Sequence, residues 1–160
     1  MSAGAGSALR PDRDLTGLAP GFRVAVEGSL RDCEADGLDA FVFEARRSNE
    51  LQAAYYARGR TVKPPARPVT NAKSALYGWH FFGLAVDVIS RSLLWSAPEE
   101  WWEEVAERFK RNGCKWGGDW RQRDLPHQQW GRCKPSPSDR ARELFAEGGL
   151  RAVWAVVGAT

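Results

Sequence analysis

The sequence has few cysteines for disulfide bonds and no long apolar segment. It has 160 residues and only three cysteines, and no apolar run approaches the roughly 20 residues that a membrane span needs, so we expect no membrane span. Cys33, Cys114 and Cys133 form no CxxC pair, which favours reduced, buried thiols. Cys114 and Cys133 flank His127, which leaves a Cys/His metal site or a disulfide open as alternatives. The first 14 residues lack the apolar segment of a secretory signal, so we expect no signal peptide.

Neither sign of charge dominates the chain. The 23 Lys and Arg residues nearly balance the 20 Asp and Glu residues, for a net charge of +3. That excess is too small to indicate nucleic-acid binding, and we expect no nucleic-acid partner. Residues 46–73 contain seven basic residues and one acid. This segment is interpreted either as a solvated face or as a wall that binds anions or carboxylates.

The pattern of apolar residues predicts a single α+β domain. We place a loose leader at residues 1–16 and one domain at residues 17–160, with a long functional loop at 59–76. The apolar end, residues 150–157, is predicted to be a strand or a helix packed on the core. Helical periodicity and caps predict helices within 22–37, 48–59, 96–113 and 138–147. Apolar runs predict strands at 38–43, 81–89 and 127–130. Short strands among separate helices indicate a small antiparallel sheet with helices packed around it.

Both histidines lie near an aspartate. His80 precedes Asp87 by seven residues, which would place the two side chains on opposite faces of an ideal strand. Gly83 lies between them and permits a bend that turns both to one side. His127 follows Asp124 by three residues. Two imidazoles and one carboxylate form a catalytic zinc set with a fourth position left to water, and a free carboxylate nearby can accept a proton. The spacing alone also allows two purely structural histidines.

Five blocks of sequence occur in an order that resembles a known enzyme family. They are ARRSNELQAAYYARGRT, VTNA, HFFGLAVDV, WGGDW and DLPH, within about residues 20–130. In this order they resemble the phage-type L-alanyl-D-glutamate endopeptidases. These endolysins are zinc peptidases that share a fold with D-Ala-D-Ala carboxypeptidases and hedgehog signalling domains. The resemblance implies that fold, a zinc cofactor and a monomer that acts on bacterial peptidoglycan stem peptides.

The same resemblance implies a metal site and a catalytic carboxylate. The HxxGxAxD block places zinc ligands at His80 and Asp87. The DxxH block places the third ligand at His127 and the catalytic carboxylate at Asp124. In this scheme Asp124 takes a proton from water activated by zinc and passes it to the leaving amine. Asp119 is an alternative base. A hydrogen bond from its side chain to the backbone of its turn is, however, a simpler reason for an aspartate at this position.

The RSxxxQ block of the family implies two further residues of the site. Arg47 would be a catalytic and substrate-binding cation that faces the substrate carbonyl or a peptide carboxylate, because the oxyanion formed in amide hydrolysis needs positive charge. Arg46 is the alternative cation, which we expect to point away from the cleft. Gln52 is interpreted as support for substrate binding, or else as a partly exposed helix residue.

The sequence departs from the family pattern at two places. Gly78 stands where the family commonly has a serine, and Ser74 or Tyr77 is a candidate substitute for the missing hydroxyl. Gln128 and Gln129 stand where the family often has an aromatic residue and an acid. Each ligand histidine needs an acceptor that orients it, and the sequence does not name these acceptors.

The leading hypothesis is a zinc endopeptidase that hydrolyses the L-Ala–D-Glu bond of the stem peptide. One alternative is a D,D-carboxypeptidase or dipeptidase on the same scaffold, in which the shape of the pocket selects another bond. A second alternative is a non-catalytic peptidoglycan-binding module. For an endolysin, the resemblance implies storage in the host cytoplasm until lysis and action on the cell wall in the periplasm.

Overall fold

The computed structural model describes residues 10–58, 60 and 74–160. Four helices lie in these ranges: α1 (Pro20–Ala35), α2 (Asn49–Ala57), α3 (Glu99–Arg111) and α4 (Asp139–Val156). The same ranges contain four strands: β1 (Ala40–Glu44), β2 (Ala85–Ser90), β3 (Cys114–Trp116) and β4 (His127–Trp130). All neighbouring strands are antiparallel, in the order β1-β2-β4-β3. The predicted α+β fold with a small antiparallel sheet is confirmed.

Helix α1 forms where the apolar periodicity predicts it. Pro20 occupies its first turn, where the missing N–H costs nothing. Phe22, Val26 and Cys33 are fully buried on the face that packs against the sheet and α3. Gly37 adopts a φ of +73° just beyond the helix, a conformation that glycine tolerates best. The helix therefore presents one apolar stripe to the main core.

Helix α3 has the predicted apolar face and end, but it begins later than predicted. Trp102, Val105 and Phe109 are buried, and the helix ends at Asn112 and Gly113. The predicted cap at Ser96 is wrong, because the helix begins at Glu99 with Pro98 as its N-cap. The residue before a proline disfavours helical backbone, so a helix cannot easily begin two residues earlier.

The predicted leader is partly packed on the domain. Residues 1–9 lie outside the described residues, but the segment from residue 10 onward runs along β1. The Ala45 N–H donates to the carbonyl of Asp12 at 2.5 Å, and Arg13 Nε donates to the carbonyl of Phe43 at 3.1 Å. Asp14 caps a short 3-10 turn at Leu15–Gly17. One backbone bond and one side-chain bond therefore hold residues 12 and 13 against the end of β1.

The chain after β4 returns to the core as a helix. Residues 150–157, for which strand and helix were both open, are helical up to Val156 and continue α4 beyond the predicted end at residue 147. The helix bends at Gly149, which has a φ of 71°. Trp154 Nε1 donates to the carbonyl of Phe82 at 2.6 Å, so this end is tied to the turn that precedes β2.

Two stretches around the sheet differ from the prediction. The strand predicted at 81–89 begins only at Ala85, because the residues before it form turns around Gly83. Gly83 has a φ of +69°, and a Cβ there would lie 2.6 Å from the carbonyl oxygen of Gly17. The three-residue strand β3, Cys114–Trp116, falls in a segment predicted to be turns. A strand of three residues is too short to show a periodic pattern in the sequence.

The cysteines are free and buried, as predicted. Burial raises the pKa of Cys33 to about 11 and that of Cys114 and Cys133 to about 12. All three are therefore protonated thiols at neutral pH, and the disulfide alternative is not realised.

In the described part of the chain, no helix is both long and apolar enough to cross a membrane. The predicted loop at 59–76 lies mostly outside the described residues. Gly59, the predicted end of the second helix, also lies outside them.

Candidate metal centre and cleft

Strand pairing places the predicted ligands side by side. Asp87 of β2 lies directly opposite His127 of β4, so both side chains project from the same face of the sheet. His80 comes from the turn before β2, where Gly83 reverses the chain. The ligand atoms of His80, Asp87 and His127 all lie within 4.8 Å of one another. The bend that the sequence required at Gly83 is therefore present, although His80 lies in a turn and not in a strand.

The three side chains converge on one carboxylate oxygen. Asp87 Oδ1 lies 3.4 Å from His80 Nε2 and 3.8 Å from His127 Nδ1. This oxygen is buried and has no hydrogen-bond partner among the described residues. Buried polar atoms nearly always have a partner, so an orphan oxygen beside two imidazole nitrogens calls for an explanation. A metal ion bound by these atoms satisfies it, and the residues present fit a metal.

A separate acceptor orients each histidine. His80 Nδ1 lies 3.0 Å from the carbonyl oxygen of Ala45, and His127 Nε2 lies 2.8 Å from Gln129 Oε1. Gln129 Nε2 donates to the carbonyl of Lys134 at 2.9 Å, which leaves its oxygen free to accept. Each of these ring nitrogens therefore carries the proton, and His80 Nε2 and His127 Nδ1 present lone pairs to the centre. Gln129, which stands where the family often has an acid, therefore orients His127.

The charges of the cluster suit metal binding at neutral pH. Burial, reinforced by the neighbouring charge of His80, lowers the pKa of His127 to about 4, so this ring is neutral. Burial alone would raise the pKa of Asp87. Its interactions with His80, Arg47 and His127 outweigh that effect and hold the pKa of Asp87 far below its usual range. Neutral imidazole and ionised carboxylate are the forms that bind a metal.

Asp124 lies at the edge of this cluster on the loop between β3 and β4. Its Oδ2 is 3.9 Å from His127 Nδ1, and its N–H donates to the carbonyl of Gly117 at 2.9 Å. A Cβ at Gly117 would lie 2.4 Å from the Asp124 carbonyl oxygen and 3.0 Å from His127 Cβ. The WGGDW block therefore needs glycine for this close approach. Desolvation within the cleft, followed by the negative charge of Asp87, raises the pKa of Asp124 to about 7.

Arg47 points into the cluster and Arg46 does not. Arg47 Nη2 lies 3.5 Å from Asp87 Oδ2, and its Nη1 donates to Gln52 Oε1 at 2.8 Å. Gln52 is 1% exposed, so its interpretation as a partly exposed helix residue is wrong. Arg46 Nε instead donates to the carbonyl of Phe81 at 2.7 Å, with its guanidinium over the Phe81 ring.

The alternative base, Asp119, lies away from the cluster. It pairs with Lys110 Nζ at 2.6 Å and is not among the residues that line the cleft. The predicted bond from its side chain to the backbone of the turn is replaced by this ion pair. Asp124 therefore remains the carboxylate beside the cluster of His80, Asp87 and His127.

A cleft of about 1120 Å³ opens over the cluster. It is large enough for a peptide segment several residues long, and pockets of this size are typical of ligand sites. Gly78 lines it, and a Cβ at that position would have nothing within 4 Å; Tyr77 also lines it, while Ser74 does not. The polar and charged residues of its wall include Glu44, Arg47, Gln52, Tyr55, Arg58, Tyr77, His80, Asp87, Arg121, Gln122, Arg123, Asp124, His127 and Ser136.

The sequence did not reveal several residues of the site. Glu44 and Tyr55 form a buried network with Arg47, Gln129 orients His127, and the Trp120 ring lies 4.8 Å from the His127 ring. One signal was available for Glu44: an acid at the end of an apolar strand, three residues before a predicted functional arginine. Gln129 carried no such signal, because its role depends on the pairing of β4.

Three comparisons with known proteins agree with this geometry. Residues 71–130 match a family model of M15 peptidases described as D-alanyl-D-alanine carboxypeptidase. The chain is 34% identical over 103 aligned residues to the peptidoglycan L-alanyl-D-glutamate endopeptidase CwlK of Bacillus subtilis (strain 168). That alignment covers 57% of this chain and 60% of the relative, so the chain spans about three fifths of the relative's length.

A solved structure has the same fold. The L-Ala D-Glu endopeptidase ChiX of Serratia marcescens superposes with a TM-score of 0.55 at 22% identity, covering 77% of this chain and 87% of that chain. The matched family segment contains His80, Asp87, Asp124 and His127. This chain has the fold of ChiX, and its residues 71–130 match the M15 peptidase family model.

Proposed function

We propose that this chain is a zinc-dependent endopeptidase that hydrolyses the L-Ala–D-Glu bond of peptidoglycan stem peptides. The observation that carries the proposal is the orphan oxygen of Asp87 between His80 and His127, at the base of a peptide-sized cleft. The names of CwlK and ChiX, both L-alanyl-D-glutamate endopeptidases, support the choice of bond.

His80, Asp87 and His127 would hold the metal. Two nitrogens and one oxygen are typical of catalytic zinc sites, which keep a position open. Zinc supplies Lewis acidity there: it polarises a carbonyl and lowers the pKa of water toward neutrality. The acceptors at Ala45 and Gln129 keep both imidazoles in the metal-binding tautomer.

Asp124 would transfer the proton, and Arg47 would stabilise the negative charge that develops in the transition state. Asp124 is half-exposed to the cleft and lies beside the ligands, so its carboxylate can accept a proton from the attacking water and donate it to the leaving amine. Its raised pKa suits a group that both accepts and donates near neutral pH. Arg47 places positive charge beside Asp87, where it can bind the oxyanion of the transition state. Gln52 supports Arg47 and does not itself need to contact the substrate.

A D,D-carboxypeptidase is the second candidate, because the description of the matching family model names that activity. Both activities would use the same metal and carboxylate, and they differ in the bond that the cleft presents to them. The products of the reaction therefore distinguish the two activities.

Mass spectrometry of fragments released from purified peptidoglycan, with and without a chelator, tests the proposal. We expect fragments with a new D-Glu amino terminus, absent when the chelator is present. Release of terminal D-Ala would replace the proposal with the carboxypeptidase. No products from folded, zinc-loaded protein would favour the peptidoglycan-binding module.

The place of action proposed is the bacterial cell wall, where the substrate is. An endolysin role in phage lysis, with storage in the host cytoplasm, remains a prediction from the resemblance, as does the monomeric state. Cell lysis after co-expression with a membrane pore, and the mass of the protein in solution, are the measurements that bear on them.

A further inference from the structure

One buried acid in the cleft has no part in the mechanism above. Glu44 is 1% exposed, yet it lies at the end of β1 beside the metal cluster. Arg47 Nε donates to its Oε1, and the Tyr55 hydroxyl donates to its Oε2 at 2.8 Å. An acid is almost never fully buried unless it is paired, and here both oxygens have partners.

A break in the strand register directs Glu44 to the site. Val42 pairs with Val88, but Glu44 pairs with Asp87, so β1 has one extra residue at this point. An unbroken register would place Glu44 opposite Val86, a core residue. The bulge instead places Glu44 level with the metal ligand Asp87. Bulges next to active sites commonly re-aim a side chain in this way.

The network around Glu44 leaves Arg47 little freedom. Arg47 donates to Glu44 through Nε and to Gln52 through Nη1, and its guanidinium lies 4.8 Å from the centre of the Tyr55 ring. Only Nη2 is directed at Asp87. Burial, and then the charge of Glu44, raises the pKa of Tyr55, which keeps its hydroxyl protonated as a donor. Three residues thus fix the plane of one guanidinium.

The same backbone segment also holds a metal ligand. The carbonyl of Ala45 accepts from His80 Nδ1, and the Arg47 N–H donates to the His80 carbonyl at 3.1 Å. The position of Arg47 relative to His80 is therefore set by the bulged end of β1. A shift of Glu44 would move the cation relative to the metal cluster.

We propose that Glu44 is a positioning residue, which holds the Arg47 guanidinium where the oxyanion of the transition state develops. This inference rests on the proposed function. In this account the Glu44 side chain binds neither the metal nor the substrate, and it acts only through Arg47. A preorganised cation lowers the barrier because it does not have to reorient during the reaction.

The test is a Glu44→Gln variant, which keeps the size of the side chain and removes its charge. We expect kcat to fall by about 10- to 100-fold with KM nearly unchanged, because an interaction made mainly in the transition state is weakened. Glu50→Gln is the matched control: Glu50 is exposed in the first turn of α2, and the same change there should leave kcat unchanged.

A double-mutant cycle separates positioning from a general structural effect. If Glu44 acts through Arg47, Glu44→Gln should cost almost nothing in an Arg47→Ala background. An equal loss of kcat in both backgrounds would overturn the proposal, as would a wild-type kcat for Glu44→Gln. Should Glu44→Gln fail to fold, Glu44→Asp keeps the charge and withdraws the carboxylate from Arg47. A wild-type kcat for Glu44→Asp, or an equal loss of kcat in the wild-type and Arg47→Ala backgrounds, would then overturn the proposal.

A spectroscopic signature keeps this test independent of the proposed function. In protein labelled with ¹⁵N-arginine, the Arg47 Nε–H resonance, assigned by its loss in Arg47→Ala, should be shifted downfield and protected from exchange. It should lose both properties in Glu44→Gln and keep them in Glu50→Gln. An unchanged resonance in Glu44→Gln would contradict the contact. If the wild-type protein hydrolyses nothing, the proposed function fails, and this resonance still decides whether Glu44 holds Arg47.

Discussion

Replacing His127 by alanine is expected to remove both the metal and the activity. Changes to groups that merely orient a ligand typically cost 10- to 100-fold in metal affinity, so loss of a direct ligand should cost more than about 100-fold. The Asp87 oxygen would then keep only His80 as a neighbour in the metal cluster. Zinc content by elemental analysis and hydrolysis of purified peptidoglycan are the two measurements.

His80→Ala serves as an independent repeat of this test, because His80 comes from a different part of the chain. Both variants should show the circular dichroism of the zinc-free wild-type protein, since the core of the fold lies elsewhere. A His127→Ala protein that retained one equivalent of zinc and wild-type turnover would show that the metal, if any, is bound at another site.

Asp124→Asn should retain zinc and lose turnover. The change keeps the shape of the side chain and removes its ability to accept a proton. Positioned proton transfer contributes about 10²- to 10⁴-fold to rates, so we expect kcat to fall by at least about 100-fold. Asp124 is not part of the metal cluster, so the zinc content should stay at the wild-type value.

Asp119→Asn is the matched control for this variant. Asp119 lies five residues earlier on the same loop, pairs with Lys110 and is not among the residues that line the cleft. The same chemical change there should leave kcat within about twofold of wild type, since isolated surface ion pairs contribute little. If Asp124→Asn matched Asp119→Asn in activity, another group would have to carry the proton.

Local patterns were enough to predict most of the helices. The periodicity of α1, the cap of α2 by Ser48 and the Asn112–Gly113 end of α3 are properties of neighbouring residues. The structure confirms them, and the Ser48 hydroxyl accepts from the Leu51 N–H at 3.1 Å. The cluster of His80, Asp87 and His127 could be predicted because the family's sequence blocks preserve ligand spacing.

Features that depend on distant parts of the chain were beyond the sequence. Strand β3 is three residues long and exists because it pairs with β4. The roles of Gln129 and Ala45 depend on which side chains they meet across the sheet or the turn. The bulge that directs Glu44 to the site is a property of the pairing of β1 with β2. No local pattern encodes these contacts.

Zinc titration of chelator-treated wild-type protein tests the central claim most directly, namely that one metal held by His80, Asp87 and His127 is required for hydrolysis. The metal-free protein should release no fragments from peptidoglycan, and the rate should rise linearly with added zinc until one equivalent per chain is bound. A rate that is unchanged by removal of the metal would contradict the account.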